Sequence, residues 1–313
     1  MIKGVGTQTK NVVYDDNPQK GFDLLKSVGF NCCDFSLNSY LTNKDIYSQN
    51  INRFFDKSTD ELIEYFSPHK KATQNSGITI NQMHMPYPIY VPNVDEEINN
   101  YLWNQVAPKS MELANFLECP YIVIHGFKLA SVLGSEDAEW EKTAEFIDSI
   151  APFAKTHNIT ICIENLYNSC GNRLVEGPGC DATKAAKRID EINKKYEAEV
   201  LGFCFDVGHA NIVGLDFESF ITTLGSRLKV LHIHDNDGEH DLHQLPFTFT
   251  KTRENTSSTD WDGFIRGLKN IDFDGVLSFE TAPVLTSFPD EMKEDVLRMI
   301  CKTGIYLSTY SYS

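Results

Sequence analysis

Side chains of the types that bind metal ions or transfer protons stand at the ends of six short β-rich runs of this sequence. They lie in the segments QMHMPY, VIHGF, CIENL, FDVGH, LHIHDND and SFETAP and are His84, His125, Glu164, Asp206, His232 and Glu280. Imidazole and carboxylate groups are common ligands of catalytic divalent metals, and they are also common general acids and bases. The sequence therefore predicts metal-assisted or acid–base chemistry, provided that the fold brings these strand ends together.

Four of these residues form a mixed oxygen and nitrogen donor set, namely Glu164, Asp206, His232 and Glu280. Such a set suits Mn²⁺, which we favour, and also Zn²⁺, Co²⁺ or Mg²⁺, and it contains none of the thiolates of a structural zinc site. Taken singly, each charge is more simply explained by a structural ion pair. Taken together, three carboxylates repel one another unless a cation lies among them. The set predicts a divalent metal site with an open coordination position.

The elements that must position these residues alternate between short β-rich runs and longer amphipathic segments, which is the pattern of a parallel sheet with crossover helices. The predicted strands are Ile2–Gly6, Asn31–Phe35, Thr79–His84, Tyr121–His125, Thr160–Glu164, Leu201–Asp206, Val230–His234 and Gly275–Glu280. Eight strands with intervening helices predict an α/β fold, a single (β/α)₈ TIM barrel domain over residues 1–313. An open doubly wound sheet is the competing architecture, but no GxGxxG turn follows the first strand.

The barrel prediction places all six side chains on one rim, because the carboxyl ends of parallel barrel strands lie on the same face. Three long loops would rise from that rim and cover a substrate, and they are Ser36–Ser58, Cys170–Gly179 and Gln244–Thr259. The eight cysteines lack the paired spacing of a zinc knuckle or a disulfide scaffold, which predicts reduced thiols. A bridge between Cys170 and Cys180 would require an oxidising environment.

The composition restricts the classes of partner. A formal net charge of −16 repels polyanions and favours a small neutral or carbonyl substrate over a nucleic acid. Hydrophobic residues make up 41% of the chain, enough for a folded core, yet no apolar run approaches the roughly 20 residues that a membrane span needs. No leader-like segment opens the sequence, so we expect a cytoplasmic protein without membrane contact.

The series HMP, VIHGF, IENL, FDVGHAN, HIHDND and SFE, in this order along the chain, resembles the xylose isomerase-like barrels. That superfamily comprises sugar and sugar phosphate isomerases and epimerases, together with the AP endonucleases that use three zinc ions. For the epimerase branch, the resemblance implies that the donor set of four binds one metal and that Glu164 and Glu280 move a carbon-bound proton. It also implies that His209 holds a sugar hydroxyl. A metal acting as a Lewis acid would lower the cost of the enediolate.

The endonuclease branch is matched at further positions. His84, His125, Asp241 and His243 stand where that family has additional zinc ligands, which implies a second or third metal. The acidic balance and the scarcity of arginine argue against a grip on a DNA duplex. The sequence also departs from the ketose 3-epimerases, because Gly238 stands where those enzymes have an arginine that contacts the substrate. It is more similar to the broad group that acts on varied sugars, keto-sugars and glycosides.

His234 lies two residues after His232 and so shares its face of the strand. It is predicted either to support the metal ligands through a hydrogen bond to Asp235 or Asp237, or to be an alternative ligand. The residues predicted to bind the substrate or a second metal are His84, His125, His209, Asp241 and His243.

These observations predict a divalent-metal-dependent isomerase or epimerase of a sugar or keto-sugar, with a small-molecule substrate. Three alternatives remain open. The first is a lyase or deglycosidase that applies the same enolisation to keto-glycosides, and the second is a zinc-dependent phosphodiesterase resembling the AP endonucleases. The third is a non-catalytic barrel subunit of a heteromeric complex. The sequence leaves the metal identity, phosphorylation of the sugar, and homo- or hetero-oligomer formation undetermined.

Overall fold

Ten strands lie within residues 2–129, 134–249 and 259–309, which are the residues that the computed structural model describes. They are β1 (Gly4–Gln8), β2 (Cys32–Phe35), β3 (Thr79–His84), β4 (Tyr121–His125), β5 (Thr160–Glu164), β6 (Tyr167–Cys170), β7 (Arg173–Glu176), β8 (Leu201–Asp206), β9 (Leu228–His232) and β10 (Val276–Phe279). Eight of these strands form one parallel sheet in the order β10, β1, β2, β3, β4, β5, β8, β9. The other two, β6 and β7, pair as an antiparallel hairpin.

The sheet closes on itself between its two end strands. Ile233, directly after β9, forms a parallel bridge with Phe279 of β10. The amide of Ile233 donates to the carbonyl of Ser278 at 2.9 Å, and the amide of Glu280 donates to the carbonyl of Ile233 at 3.1 Å. With helices surrounding the eight parallel strands, this closure confirms the predicted (β/α)₈ TIM barrel.

The helices follow the strands along the chain. They are α1 (Pro18–Val28), α2 (Asn43–Tyr47), α3 (Thr59–Ser76), α4 (Glu96–Tyr101), α5 (Ala107–Phe116), α6 (Glu136–His157), α7 (Ala182–Tyr196), α8 (Val207–Ile212), α9 (Phe217–Leu224), α10 (Trp261–Asn270), α11 (Ala282–Thr286) and α12 (Lys293–Thr309). Local sequence determines where several of them begin. Ser58 and Glu61 form a reciprocal capping box at the start of α3, and the Asp181 side chain accepts the amide of Lys184 at the start of α7.

Small residues fill the barrel interior below the rim. A separate buried cluster consists of Val123, Cys162, Cys204 and Val230, from four neighbouring strands. Side chains alternate along a strand, so the residue two positions further on points to the same side of the sheet. In these four strands those residues are His125, Glu164, Asp206 and His232. The alternation that builds the core therefore also directs the candidate ligands inward at the rim.

The strand predictions are accurate to the residue for β3, β4, β5 and β8. Two others are shifted along the chain. The first strand runs over Gly4–Gln8 rather than Ile2–Gly6, because Gly4 is the first residue that pairs with β10. The seventh barrel strand, β9, runs over Leu228–His232 rather than Val230–His234, since only the isolated bridge at Ile233 continues the pairing.

The predicted covering loops have more regular structure than their sequences indicate. Ser36–Ser58 contains the short helix α2, and most of Cys170–Gly179 belongs to the β6–β7 hairpin. Both cysteines around that hairpin are free thiols, with Cys170 exposed and Cys180 buried. For the third loop, Gln244–Thr259, residues 250–258 lie outside the described ranges. Among the described helices, none combines the length and apolar character that crossing a membrane requires.

Candidate metal centre

The four residues of the predicted donor set come from four strands and meet at the rim. Glu164 ends β5, Asp206 ends β8, His232 ends β9 and Glu280 follows β10. The strand register places Asp206 directly beside His232. One ligand atom from each of the four side chains lies within 4.8 Å of all the others. The structure thus brings together residues that are up to 116 positions apart in the chain.

His232 lies at the centre of this cluster. Its Nδ1 atom is 3.2 Å from Glu164 Oε1, 3.3 Å from Glu280 Oε2 and 3.9 Å from Asp206 Oδ2. The separations to Glu164 and Glu280 are close to those between neighbouring ligand atoms of one ion, because atoms bound at about 2.0–2.2 Å in a tetrahedral site lie roughly 3.3–3.6 Å apart. The separation to Asp206 is longer. The donor geometry therefore fits a single divalent ion.

None of the three carboxylates of the donor set is paired with a lysine or an arginine among the described residues. Glu164 and Asp206 are completely buried or nearly so, and within the described ranges no lysine or arginine lies within 4.0 Å of Glu164, Asp206 or Glu280. Glu164 Oε2 is buried and has no hydrogen-bond partner among the described residues. Buried carboxylate oxygens are normally satisfied, since desolvating an unpaired charge is costly. Glu164 Oε2 has two histidine nitrogens at 3.2 and 3.4 Å but no formed hydrogen bond, and this oxygen and the crowded carboxylates fit a bound cation.

Within the described part of the chain, histidines are the only positive groups within 4.0 Å of these carboxylates, and they dominate the titration of the cluster. Burial acts to raise the pKa of Glu164, but His232 and His125 outweigh it and hold that pKa well below its usual value. Burial acts to lower the pKa of His232, yet Cys204, Glu280 and Glu164 outweigh burial and raise it well above its usual value. Without a metal ion, a proton on His232 would therefore partly offset the carboxylate charge at neutral pH.

A second ligand group adjoins the first and shares Glu164. His125 lies beside Glu164 in the register of β4 and β5. Glu164 Oε2 is 3.2 Å from His125 Nε2 and 3.4 Å from His84 Nε2, and the two imidazole nitrogens are 3.2 Å apart. This triangle again has the edge lengths of atoms bound to one tetrahedral ion. If both groups held an ion, Glu164 would contribute one carboxylate oxygen to each of them.

The protonation of this histidine pair favours metal binding. His84 Nδ1 is 2.7 Å from the carbonyl oxygen of Met85, to which it can donate, so its Nε2 is free to act as a ligand. Burial lowers the pKa of His125 to about 4, and the nearby Glu164 only partly offsets this effect. His125 is therefore neutral at physiological pH, which is the form that coordinates a metal.

The third group lies on the other side of the donor set. Asp241 Oδ2 is 3.4 Å from His209 Nε2 and 3.2 Å from His243 Nε2. The opposite ring nitrogens lie near backbone carbonyls, at 2.9 Å from Asn165 O for His209 and 3.0 Å from Glu280 O for His243. Each Nδ1 can donate to its carbonyl, which leaves each Nε2 directed toward Asp241. Of the residues named by the endonuclease resemblance, Asp241 and His243 lie together here, whereas His84 and His125 lie in the second group.

The sequence FDVGH positions His209 by a local mechanism. Asp206 caps α8, because its Oδ1 accepts the amide of His209 at 2.6 Å, and the first turn of the helix carries His209 back over the rim. A Cβ atom at Gly208 would lie 1.9 Å from the ring of His234. Glycine is therefore required at this position for His234 to pack against the turn.

His234 and Asp235 differ from their predicted pairing. His234 Nε2 lies 3.1 Å from both carboxylate oxygens of Asp206, so it supports that ligand instead of contacting Asp235 or Asp237. Asp235 accepts hydrogen bonds from the amide of Asn236 and from the Thr259 hydroxyl. The Asp235 carboxylate therefore organises the loop after β9. Asp235 forms an antiparallel bridge with Gln244, and in such extended backbone consecutive side chains point to opposite sides.

Two residues near the ligands were missed by sequence reasoning. Asp34, which is fully buried near the end of β2, has Oδ2 at 3.2 Å from His232 Nε2. Gln8, the last residue of β1, donates from Nε2 to Glu280 Oε1 at 2.7 Å. Both belong to the same rim as the predicted ligands. The available signal was a polar residue near the end of an otherwise apolar strand, as in CCDF.

Replacing Asp34 by asparagine is expected to weaken Mn²⁺ binding about tenfold to a hundredfold, because the neutral amide orients and polarises His232 less strongly than the carboxylate. Competition with a chelating dye measures the affinity. Asp190→Asn, in a surface ion pair with Arg227, is the control and should retain wild-type affinity. An affinity for Asp34→Asn within twofold of wild type would contradict a role for Asp34 at the metal.

A cavity of about 280 Å³ opens above the three ligand groups. Glu164 and Glu280 line it, whereas Asp206 and His232 do not and lie beneath its floor. Tyr167 also borders this cavity, and its hydroxyl is 3.4 Å from Asp241 Oδ2. A small molecule in the cavity would meet two carboxylates of the donor set directly.

Comparison with protein families gives one match that covers most of the chain. The model of the family described as xylose isomerase-like TIM barrel matches residues 22–300. A protein of Methanocaldococcus jannaschii described only as uncharacterized is 26% identical over 260 residues, which is 83% of this chain and 82% of that protein. An uncharacterized protein of Sinorhizobium fredii is 25% identical over 203 residues, or 61% of this chain and 59% of that protein.

Solved structures with the same fold include a D-psicose 3-epimerase from Clostridium cellulolyticum, at a TM-score of 0.64 with coverage of 97% of this chain and 99% of that chain. A 3-keto-D-glucoside 4-epimerase from E. coli has a TM-score of 0.64, with coverage of 96% and 99%. A xylose isomerase domain protein from Alicyclobacillus acidocaldarius has a TM-score of 0.63, with coverage of 97% of both chains. All three are 14% identical to this chain, so they establish a shared fold and nothing beyond it.

Proposed function

Because the chain belongs to the xylose isomerase-like TIM barrel family, we propose that it is a divalent-metal-dependent isomerase or epimerase of a sugar or keto-sugar. One arrangement carries the proposal: three carboxylates and an imidazole converge within 4.8 Å, and no lysine or arginine within the described ranges is close enough to neutralise them. Proteins of the same fold include a D-psicose 3-epimerase and a 3-keto-D-glucoside 4-epimerase, which is consistent with this chemistry.

The donor set consists of Glu164, Asp206, His232 and Glu280, and its oxygen-rich composition favours Mn²⁺. A divalent ion bound by these residues would polarise a sugar carbonyl and its neighbouring hydroxyl as a Lewis acid. Asp206 and His232 lie beneath the cavity floor and serve only to hold the ion. Glu164 and Glu280 line the cavity in which a substrate would bind.

The two glutamates are therefore the acid and base of the proposed reaction. A carbon-bound proton next to a carbonyl becomes acidic enough for a carboxylate to remove when the carbonyl is polarised. Glu164 is suited to act as the base, because its lowered pKa keeps it ionised at neutral pH. Glu280 would return a proton to the opposite face of the substrate, which inverts the carbon, or to the neighbouring carbon, which moves the carbonyl.

Other polar groups of the cavity would orient the sugar. His209 and Asp241 are 3.4 Å apart, and the Tyr167 hydroxyl lies close to the same carboxylate. Burial acts to lower the pKa of His209, but Asp206 and Asp241 outweigh it and raise that pKa well above its usual value. A protonated His209 donates hydrogen bonds and would bind a sugar hydroxyl as donor. With one bound ion, His84 and His125 would contact further hydroxyls.

The proposal predicts solvent exchange at carbon. Protein loaded with Mn²⁺ and incubated in D₂O with D-fructose, D-tagatose or a 3-keto-glucoside is expected to incorporate deuterium next to the carbonyl, and chelation should stop the incorporation. Proton NMR measures the loss of the carbon-bound hydrogen and identifies its position. Because exchange requires a working base, a non-catalytic barrel would give none. No exchange with any of these compounds, nor with D-fructose 6-phosphate or D-fructuronate, at full metal occupancy would exclude the proposed activity.

A second candidate function is hydrolysis of a phosphodiester at a centre with several metal ions. It is favoured by further ligand groups beside the donor set, which are His84 and His125 with Glu164, and His234 with Asp241 and His243. His209 also lies 3.4 Å from Asp241. Adjacent ions would bind both the attacking and the leaving oxygen of such a substrate. Elemental analysis showing two or three ions per chain, together with nicking of abasic-site DNA, would support this candidate. One ion per chain without nicking would exclude it.

A further inference from the structure

Two cavities meet at the rim and share part of their walls. The first is the cavity of about 280 Å³ above the ligand groups, and the second, of about 270 Å³, lies beside it next to β6. Residues common to both are Tyr47, His125, Lys128, Leu166 and Tyr167. Each cavity alone is small for a ligand site, but together they reach the usual range of roughly 300–1,000 Å³. The combined space fits a substrate with a group extending beyond the reacting carbons.

Lys128 stands at the junction of the two cavities. Among the described residues that line either of them, it is the only lysine or arginine. Its Nζ atom donates to the backbone carbonyl of Tyr167 and lies 5.1 Å from the centre of the Tyr167 ring. Both contacts are with neutral groups. In the described part of the chain, no carboxylate lies within 4.0 Å of this ammonium group.

An ammonium group in this position lacks its usual partners. The Lys128 side chain is half-buried, and lysines removed from water are nearly always paired with a carboxylate or another anion. An ammonium group has three N–H donors, and the Tyr167 carbonyl occupies one. The carbonyl contact also fixes the position of the stem at the cavity wall. The remaining donors are therefore available to a ligand that spans the junction.

We propose that Lys128 binds an anionic group of the substrate, a carboxylate or a phosphate, at the junction of the two cavities. The reacting carbons of the same sugar would lie over Glu164 and Glu280 in the first cavity, so this inference rests on the proposed function for the identity of the substrate. The charge on the sugar then acts as the specificity determinant. A neutral sugar would leave the ammonium group unpaired in the closed complex, which costs binding free energy.

Burial lowers the pKa of Lys128, and nearby carboxylates including Glu139 and Glu164 partly oppose that effect. A bound anion would oppose it further, since a negative charge favours the protonated amine. A bound anion would therefore stabilise the ammonium form of Lys128 at this site.

The test uses three ketoses that differ only at carbon 6, namely D-fructose, D-fructose 6-phosphate and D-fructuronate. Calorimetry on the full-length protein loaded with Mn²⁺ gives their affinities for the wild type and for Lys128→Gln, Lys128→Arg and Lys155→Gln. Lys155 also donates to a backbone carbonyl, that of Tyr196 at 2.7 Å, but lines neither cavity, so Lys155→Gln is the matched control.

The wild type is expected to bind one of the charged ketoses at least tenfold more tightly than D-fructose. Lys128→Gln should lose at least tenfold for that charged ketose and less than twofold for D-fructose, whereas Lys128→Arg and Lys155→Gln should keep the preference. Preference for the phosphate or for the uronate identifies the anion. Binding is read without turnover, so a preserved charge preference without deuterium exchange would support this inference while removing the proposed function.

Three results would overturn the inference. The wild type could bind charged and neutral ketoses equally, or bind neither charged ketose. Alternatively, Lys128→Gln could weaken all three to the same extent, which would show that Lys128 only braces β6 through the Tyr167 carbonyl. The inference would also be overturned if deuterium exchange occurred only with D-fructose and was unchanged in Lys128→Gln.

Discussion

Glu280→Gln is expected to reduce metal-dependent deuterium exchange by about 10²–10⁴-fold, the usual contribution of a general acid or base. Glu280 borders the cavity, its Oε2 atom lies 3.3 Å from His232 Nδ1, and its Oε1 atom accepts a hydrogen bond from Gln8. The amide of glutamine has nearly the same shape but cannot accept a carbon-bound proton at neutral pH. It also removes one anionic ligand, so metal occupancy should fall as well.

Occupancy and catalysis are separated by measuring exchange at saturating Mn²⁺, after titration of each variant. Glu139→Gln is a matched control, because Glu139 is also a buried glutamate but hydrogen-bonds to the Leu129 amide and the Ser135 hydroxyl away from the donor set. Thermal unfolding of the chelated proteins checks the fold. Glu280→Gln should unfold no earlier than the wild type, because it relieves repulsion among the carboxylates. Exchange within tenfold of wild type at full occupancy would remove Glu280 from the chemistry.

Lowering the pH from 8 to 6 is expected to weaken Mn²⁺ binding to the donor set about a hundredfold. Neighbouring carboxylates raise the pKa of His232 well above its usual value in the metal-free protein, so His232 carries a proton throughout this range. The ion coordinates only the neutral imidazole and must displace that proton. Each displaced proton changes the affinity by about tenfold per pH unit. Affinity therefore rises with pH until the pH exceeds the pKa of His232.

Chelator competition at pH 6, 7 and 8 measures this slope, and calorimetry in buffers of different ionisation enthalpy counts the released protons. Burial acts to lower the pKa of His243, but Glu280 and Asp241 outweigh it and raise that pKa to about 9. The affinity for an ion bound by His243 should therefore depend more steeply on pH. His125, with a pKa of about 4, should contribute no proton above about pH 5. His157→Gln is the control because His157 stacks on Phe153 in α6, remote from the site. A flat affinity from pH 6 to pH 8 would show that His232 is not a ligand.

Much of the fold could be predicted from the sequence because barrel strands are short, apolar and separated by amphipathic helices. The strand Thr160–Glu164 is an example, since TICIE is bounded by a helix end and a turn, and its prediction is accurate to the residue. The hairpin at Tyr167–Glu176 was missed. Its residues are largely polar and half-exposed, so neither alternation nor a hydrophobic run indicates strand pairing there.

The rim was less predictable than the strands that lead to it. Asp34 follows two cysteines in β2 just as Asp206 follows Phe205 in β8, but no motif indicates that the Asp34 carboxylate contacts His232. His234 was expected to be an alternative ligand or to hydrogen-bond to Asp235 or Asp237, its neighbours in sequence, and it contacts Asp206 at the end of the adjacent strand β8. Lys128 carries no sequence signal, since a lysine after a strand is usually solvated. In each case the partner is distant in the chain.

The sequence by itself determined the strands, the barrel and the identity of the residues that end each strand, because these depend on local periodicity and on side-chain chemistry. Only the tertiary structure decided which atoms face each other: that Glu164 presents one oxygen to His232 and the other to His84 and His125, and that Lys128 borders two cavities. The physical reason is the separation along the chain over which each kind of interaction acts. Hydrogen bonding and hydrophobic patterning act between near neighbours and specify elements, whereas electrostatic energies among buried groups depend on distances that exist only after the barrel closes.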